Sequence, residues 1–306
     1  MERPSVRQLE CALAVERCAN FSRAAEGLFL SQPALSNQIK QLEQQLGLTL
    51  FERGRHGARA TPEGQAILAR ARLVLAELDG LTEQAASLAA PFQGDLRLGA
   101  IPTVAPYLLP TLVPAVHEVY PDLRLYLREE RTADLVRLCL EGELDLLLLA
   151  LDVDLGGLCE RFLFDDPFLL AARTGHPATR RKLAREEDLN ISELLLLDDG
   201  HCLRDHALSQ CSLPAASEDD FRASSLGTLV QMVASGLGVT LLPSIAVAAE
   251  ATEGLELRPF PSTRKKAGPG RRIGLAWRPT SPRAAQFEEL AGLFSDVLES
   301  LAKAGG

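Results

Sequence analysis

Residues 21–47 read FSRAAEGLFLSQPALSNQIKQLEQQLG, and this stretch decides the fold of the N-terminal part of the chain. The pattern predicts a short helix capped by Ser22 and a tight connection after it. A longer helix then begins at Ser31, carries Pro33 in its first turn and ends at Gly47. Two helices joined by a tight turn form the arrangement that places a helix in the major groove of DNA.

The longer helix has one apolar and one polar face. Its apolar positions are Leu35, Ile39, Leu42 and Leu46, and its polar positions are Gln32, Ser36, Asn37 and Lys40. Gln and Asn side chains can form paired hydrogen bonds with adenine, and Ser adapts to several bases. The polar face therefore predicts base recognition, although a three-helix protein-interaction module with a solvated face explains the spacing equally well.

The segment after the longer helix and the charge of the N-terminal part both agree with DNA binding. Residues 50–61 predict a small hairpin around the basic stretch RGRHG at 53–57, which would hold DNA phosphates as a wing. The net charge is −9 overall, yet the first sixty residues carry eight Lys and Arg against six Asp and Glu. A mildly basic head on an acidic body suits a DNA-reading domain joined to a sensor.

Residues 62–90 predict one long helix with a regular apolar repeat. The seam positions, which alternate in steps of four and three, are Ile67, Ala71, Val74, Leu78, Leu81, Ala85 and Leu88. Such a heptad pattern predicts pairing with the same helix of a second subunit. An amphipathic helix that packs within its own chain is the alternative.

From residue 95 onward strands alternate with helices, which predicts an α/β fold. A chain of 306 residues is long enough for two or three compact units. We expect a two-lobed domain over 95–306, with lobe I near 95–165 and 269–306 and lobe II near 166–268. A cleft is expected at the carboxyl ends of the strands.

Composition excludes several classes of protein. No apolar run reaches the length of a membrane-spanning helix, and the N-terminus lacks a signal peptide, so a cytoplasmic location without membrane contact is expected. Six widely spaced cysteines without a Cys-x-x-Cys motif predict neither a disulfide framework nor a zinc ribbon. We expect no metal and no cofactor.

The N-terminal motifs resemble those of LysR-type transcriptional regulators in both order and spacing. The matching stretches are FSRAA at 21–25, LSQPALS at 30–36, IKQLE at 39–43, LG at 46–47, LFER at 50–53 and TPEG at 61–64. The resemblance implies a winged helix-turn-helix over 1–61, a dimerisation helix over 62–90 and a periplasmic-binding-protein-like effector domain. It assigns the DNA contacts to Arg23, Ser31, Gln32, Pro33, Ser36, Asn37 and Arg53.

Residues 197–211, LDDGHCLRDHALSQC, contain the candidate sensor. A helix N-terminus, His201 and Arg204 would all favour the reactive thiolate of Cys202. Cys211 follows nine residues later, which is about 13 Å along one helix. A disulfide requires Cα atoms about 5.5–6 Å apart. Joining the two would therefore require the intervening segment to unwind, as a switch does.

Chemistry alone leaves other interpretations open. Cys202 and Cys211 could be two unrelated thiols, with Cys211 simply buried as a small apolar side chain. A zinc ion held by Cys202, His206 and Cys211 is a further alternative, although this spacing matches no common structural zinc pattern.

The chain is more narrowly similar to the peroxide-sensing members of the LysR family. The matching stretches are IPTVAPYLLP at 101–110, GHCLRD at 200–205, FRASSL at 221–226, LLP at 241–243 and RRIGL at 271–275. This implies that Cys202 attacks peroxide and Cys211 resolves the product. It further implies that Thr103 and His201 bind peroxide, that Asp205 orients the network and that Arg271 stabilises the thiolate, although the adjacent Arg272 leaves this alignment open by one position.

The resemblance also implies the partners. They are promoter DNA, hydrogen peroxide, RNA polymerase, a cellular dithiol reductant and further copies of this chain, in a dimer through 62–90 that pairs into a tetramer. Peroxide would be consumed only as a signal, so an enzyme is not expected. The competing functions are a LysR-type regulator that binds a metabolite in the cleft and a thiol peroxidase.

Overall fold

The structure is a computed structural model that describes residues 3–54, 57–89, 92–185, 193–198, 203, 222–261 and 268–304. The chain divides into two compact units. One contains the residues up to Leu88 together with Leu140–Glu143, and the other contains the remainder. The long helix expected at 62–90 is thus grouped with the N-terminal helices.

The first unit is built on three helices, which are α1 (Val6–Cys18), α2 (Phe21–Gly27) and α3 (Gln32–Leu46). Its core includes Cys11, Val15, Ala24, Leu35 and Ile39, which are all nearly inaccessible to solvent. The predicted α3 is confirmed, because Ser31 accepts a hydrogen bond from the Ala34 amide and Gly47 adopts a left-handed conformation at the other end.

One detail of the prediction for this unit is wrong. Asn20, not Ser22, caps α2, since its side-chain oxygen accepts hydrogen bonds from the amides of Ser22 and Arg23. Asn20 lies two positions before Ser22, and helical spacing alone does not show that Asn20 is the better cap.

The predicted hairpin is present as β1 (Phe51–Gly54) and β2 (Gly57–Ala60), paired antiparallel. The Ala58 amide donates to the carbonyl oxygen of Ala19 at the end of α1. Gly57 is necessary here, because a Cβ atom at this position would lie 2.3 Å from that same oxygen. The Glu43 carboxylate accepts hydrogen bonds from the amides of Leu50 and Phe51, so α3 and the hairpin hold each other in place.

Helix α4 (Pro62–Ala89) runs for 28 residues and contains the whole predicted heptad repeat. Near its start the seam packs inward, since Ala71 is 4% exposed. Further along, Val74, Leu78 and Leu81 are exposed, Leu81 by 64%. An apolar row that the single chain leaves open to water is consistent with a partner helix.

The second unit contains an α/β sheet, as predicted. The helices are α5 (Ala105–Val119), α6 (Thr132–Leu140), α7 (Leu226–Ala234), α8 (Val247–Glu250) and α9 (Ala284–Ala304), and the strands are β3 (Gly94–Ala100), β4 (Leu123–Glu129), β5 (Leu146–Ala150), β6 (Cys159–Arg173), β7 (Leu196–Leu197), β8 (Arg222–Ala223), β9 (Val239–Pro243), β10 (Leu255–Pro259) and β11 (Gly270–Trp277). The strand order is β10-β6-β11-β5-β3-β4, with β9 also paired to β6. The continuously apolar β5 is fully buried and pairs parallel with β3.

Strand β6 is longer than the sequence predicts and changes partners along its length. Its first part, up to Pro167, pairs with β11, and from Phe168 onward it pairs with β9 and β10. The sequence predicts a strand only near 168–172, because charged residues interrupt the apolar pattern before Pro167. The expected return of the chain to the first sheet is confirmed, since β11 pairs with both β5 and β6.

Candidate functional site

The polar face of α3 lies on the surface of the first unit. Gln32, Pro33 and Asn37 are exposed and Ser36 is half-buried. The Nε2 atom of Gln32 donates a 3.0 Å hydrogen bond to Oγ of Ser36, so the two side chains are oriented together. This leaves the amide oxygen of Gln32 and the Asn37 side chain available for an external partner.

The other predicted DNA contacts lie on neighbouring elements of the same unit. Ser31 is exposed and caps α3, and Arg23 is exposed on α2. Arg53 lies in β1 directly opposite Ala58. Phe29 was missed by the sequence interpretation. It occupies the connection before α3 with a positive φ of 55° and is 97% exposed.

The second unit buries a charged cluster centred on Arg271. Its guanidinium donates through Nε to Oδ2 of Asp166 at 2.9 Å, through Nη1 to Oγ1 of Thr103 at 2.6 Å and through Nη2 to the Thr103 carbonyl oxygen at 2.9 Å. The side chains of Arg271 and Asp166 are both completely inaccessible to solvent. A buried charge is expensive unless it is paired and hydrogen-bonded, and this arginine is both.

Asp166 is held from its other side as well. Its Oδ1 atom accepts hydrogen bonds from Oγ of Ser244 at 2.9 Å and from the amide of Ile245 at 3.1 Å. The carboxylate therefore joins β6, β11 and the single helical turn Ser244–Ala246. Neither Asp166 nor Ser244 was identified from the sequence, because no local pattern shows that one of the adjacent aspartates Asp165 and Asp166 is buried.

The neighbouring Arg272 faces the opposite way. It is exposed, and its guanidinium lies 5.2 Å from the centre of the Phe162 ring. Its backbone amide donates to the Asp152 carboxylate. Successive side chains on a strand point to opposite faces, so one of the two arginines had to be buried. The structure brings Thr103 together with Arg271 and not with Arg272.

Four predicted sensor residues, Cys202, Cys211, His201 and Asp205, lie outside the described residues. The same holds for His206 of the alternative zinc site. Leu203, between two of them in sequence, is described, is 3% exposed and belongs to the hydrophobic core that also contains Leu197 and Leu226.

Tyr107 connects two parts of the second unit near the cluster. Its hydroxyl donates a 2.8 Å hydrogen bond to Oε1 of Glu250, and so joins α5 to α8. Burial, followed by the hydrogen bond and the charge of Glu250, raises the pKa of Tyr107 well above its ordinary value of 10. Tyr107 stays a neutral donor throughout the physiological pH range.

A cavity of about 750 Å³ lies beside the cluster. Its lining includes Asp165, Asp166, Phe168, Phe260, Arg271 and Arg272. Its size is within the range of small-molecule sites. It therefore gives the alternative of a metabolite-binding regulator a physical location.

The described cysteines do not resemble a reactive pair. Cys11 and Cys139 are fully buried in helices, and Cys18 and Cys159 are half-buried. Burial raises the pKa of Cys11, and it raises that of Cys139 to about 11. Cys11 and Cys139 therefore act as small packing residues. Cys159, however, lies on strand β6 and is only partly covered.

Two absences apply to the described part of the chain. No group of three or more His, Cys, Asp or Glu side chains is placed there to hold a metal ion. Within the same residues, no helix combines the length and the apolar character needed to cross a bilayer.

Comparison with known proteins finds a family match in each of the two units. Residues 6–65 match the bacterial regulatory helix-turn-helix protein family of the lysR type, and residues 89–299 match the LysR substrate binding domain. A probable hydrogen peroxide-inducible genes activator of Streptomyces viridosporus is 45% identical over 300 residues, which cover 97% of this chain and 96% of that protein.

Two solved structures extend the similarity to nearly the whole fold. A full-length OxyR cysteine variant from Pseudomonas aeruginosa is 36% identical with a TM-score of 0.76, and the match covers 96% of this chain and 95% of the other. A Corynebacterium glutamicum OxyR mutant with H2O2 bound is 34% identical with a TM-score of 0.66, over 98% and 94% of the two chains.

Proposed function

Because this chain belongs to the LysR family of transcriptional regulators, we propose that it is the peroxide-responsive kind. Cys202 would be oxidised by hydrogen peroxide, and the resulting disulfide with Cys211 would change how the protein binds promoter DNA. The observation that carries this proposal is the buried pair of Arg271 and Thr103. A charged donor and a hydroxyl, fixed together away from water, suit a small polar oxidant and an anionic sulfur.

The first chemical step takes place at the sulfur of Cys202. Its thiolate attacks one oxygen of H2O2, the O–O bond breaks, and the products are a sulfenic acid and hydroxide, which takes up a proton to become water. Arg271 would favour the thiolate, and Thr103 and His201 would bind and polarise the peroxide. Asp205 would orient this network. The sulfur is oxidised by two electrons and the peroxide is reduced by the same two.

In the second step the thiol of Cys211 attacks the sulfenic sulfur. A disulfide forms and water leaves. The sequence spacing implies that the backbone between the two cysteines must rearrange for this to happen. A cellular dithiol would reduce the disulfide and reset the protein, so peroxide is a signal and no other substrate is turned over.

The DNA-binding half would use the polar face of α3. Gln32, Ser36 and Asn37 would read base edges, with Ser31 and Pro33 beside them, while Arg23 and Arg53 would contact phosphates. The exposed seam of α4 would pair two chains, so that two recognition helices reach two half-sites. Two such dimers would form a tetramer that contacts RNA polymerase. We place this protein in the cytoplasm, with no metal, cofactor or membrane contact.

The domain limits also remain our proposal. They are a DNA-binding domain over 1–61, a dimerisation helix over 62–90 and an effector domain over 95–306. The change of pairing partner along β6 between Pro167 and Phe168 supports a boundary between the lobes near residue 166.

The experiment treats the reduced full-length protein with a small molar excess of hydrogen peroxide. Thiols are mapped by mass spectrometry, and the footprint on promoter DNA is compared before and after. We expect a Cys202–Cys211 link together with a changed footprint. The Cys202→Ser variant should lose both responses, and Cys159→Ser, which alters a partly covered cysteine on β6, should keep them.

The competing functions predict different results. A metabolite-binding regulator leaves both thiols unmodified and responds when a small molecule enters the cavity. A thiol peroxidase turns over peroxide repeatedly with a reductant and shows no sequence-selective, salt-dependent DNA binding. A zinc-stabilised sensor releases one equivalent of zinc on chelation.

A further inference from the structure

We propose that Asp166 is a positioning residue for the peroxide reaction, because it holds Arg271 in the orientation that directs its terminal nitrogens toward Thr103. This inference rests on the proposed reaction at Cys202. Asp166 is not itself expected to touch peroxide or sulfur. It acts through Arg271, whose positive charge favours the Cys202 thiolate.

The geometry of the carboxylate leads to this role. An arginine and a carboxylate often pair through two parallel hydrogen bonds, in which both oxygens face the guanidinium. Here only Oδ2 receives a hydrogen bond from Arg271, through Nε, at 2.9 Å. Oδ1 is occupied by the Ser244 hydroxyl and the Ile245 amide. The Asp166 carboxylate is thus held at the Nε edge of the guanidinium, and the two terminal nitrogens of Arg271 stay directed at Thr103.

The consequence for Thr103 is a defined hydroxyl orientation. Its Oγ1 atom accepts a 2.6 Å hydrogen bond from Nη1 of Arg271, while its carbonyl accepts one from Nη2. A hydroxyl that accepts from a cation has its own hydrogen free to point elsewhere. Thr103 is 3% exposed, so that hydrogen is offered inside the protein rather than to bulk water. Asp166, through Arg271, therefore prepares Thr103 as a donor to the oxidant.

Several charged groups among the described residues lie around this cluster. Tyr107 on α5 is close enough to Arg271 and Glu129 for their charges to act on its hydroxyl, which donates to Glu250 on α8. The other charged groups that line the adjacent cavity are Asp152, Asp165 and Arg272. Asp166 is the carboxylate that contacts Arg271 directly.

The test is the rate of Cys202 oxidation by hydrogen peroxide in full-length Asp166→Asn, followed from about pH 5 to pH 9. An Asn side chain presents one acceptor oxygen and one NH2 donor group, whereas all three partners of Asp166 are donors. Asn must therefore place its NH2 against either Arg271 or Ser244 and Ile245. We expect Arg271 to be released, the rate at neutral pH to fall at least tenfold, and the midpoint of the pH–rate profile to move to higher pH.

The direction in which the midpoint moves distinguishes positioning of Arg271 by Asp166 from simple neutralisation of the Arg271 charge. If Asp166 merely neutralised a fixed Arg271, its loss would leave a stronger positive field at the sulfur and move the midpoint to lower pH. A midpoint that moves down, or a profile that does not change, overturns the proposal. Asp165→Asn is the matched control. It removes the same charge from the adjacent, exposed residue and should leave the rate within twofold.

A second variant and the unmodified protein complete the test. Should Asp166→Asn fail to fold, Ser244→Ala removes only one of the three hydrogen bonds to Asp166, and we expect a two- to fivefold slower reaction with a shift in the same direction. An unchanged Ser244→Ala overturns the proposal. If Cys202 of the unmodified protein does not react, the proposed function itself fails, whereas a fast reaction in Asp166→Asn overturns the role of Asp166 alone.

Discussion

The Tyr107 hydroxyl donates a 2.8 Å hydrogen bond to the Glu250 carboxylate across 143 positions of sequence. Tyr107 lies four residues after Thr103, and Glu250 lies six residues after Ser244. The bond therefore joins the two chain segments that also contribute to the Arg271 cluster. Tyr107 packs at the same time against the core that contains Phe168 and Leu226.

Replacing Tyr107 by Phe tests how much this contact stabilises the second unit. The ring still packs, but Glu250 loses its donor, so we expect the free energy of unfolding to fall by about 1–2 kcal/mol. Trp277 is the chain's single tryptophan and lies in β11, so its fluorescence during urea unfolding reports on this unit. Tyr126→Phe, at an exposed tyrosine of β4, is the control and should change little.

Arg271 and Arg272 should differ sharply on substitution. Arg271→Ala leaves Asp166 buried without its cationic partner, which should destabilise the second unit by about 3–5 kcal/mol. Arg272→Ala removes an exposed side chain over Phe162 and should cost no more than about 1 kcal/mol. Urea unfolding followed by Trp277 fluorescence measures both. Equal effects would contradict the assignment of Arg271 to the buried cluster.

Gln32 should contribute to sequence selectivity more than to general affinity. Gln32→Ala removes a side chain able to pair with a base edge, and we expect discrimination at one operator position to weaken by about 1–3 kcal/mol. Arg23→Ala should instead weaken binding to all sequences alike and lessen the salt dependence. Gln44→Ala, at an exposed position near the end of α3, is the control. Binding titrations of each variant against operators that differ at one position measure these effects.

The seam of α4 predicts self-association. Leu81→Asp places a charge at a seam position that is 64% exposed in the single chain, and it should weaken the dimer at least tenfold. Leu73→Asp changes another exposed leucine of the same helix, 38% exposed, that lies outside the seam. Sedimentation at several concentrations should show dissociation for Leu81→Asp alone. Loss of the dimer in both variants would argue against the seam.

Cys139 should make the second unit less stable in alkali. Its pKa rises from an ordinary value near 9 to about 11 on folding, mainly through burial. The unfolded chain therefore ionises first, and the stabilisation present below pH 9 is lost as pH rises toward 11, by about 3 kcal/mol. Cys139→Ala should show a shallower decline over this range than the unmodified protein. Parallel pH profiles of the two would show that the thiol is not the cause.

Much of the first unit could be predicted because its determinants are local. Ser31, Pro33 and Gly47 mark the two ends of α3 by interactions within a few residues. The capping of α2 shows the limit of the same reasoning, since Ser22 and Asn20 are both good caps and only the backbone geometry selects Asn20.

The buried cluster was only partly predictable. Thr103 and Arg271 followed from resemblance, but neither periodicity nor composition distinguished Arg271 from Arg272. The pairing of β11 with β6 makes that distinction, because it places Arg271 opposite Asp166 and Arg272 opposite Asp165. Strand β6 was predicted too short for the same reason, since its charged half looks polar until its partner is known.

The sequence by itself determined the helix-turn-helix, the alternation of strands and helices and the family, because each depends on patterns within a few turns or on matched motifs. The tertiary structure alone decided which arginine is buried and which carboxylate holds it. Arg271 and Asp166 are 105 residues apart in the chain. A charge pair becomes favourable in the interior only when folding supplies partners for every donor and acceptor, and those partners come from strands and turns that no local pattern connects.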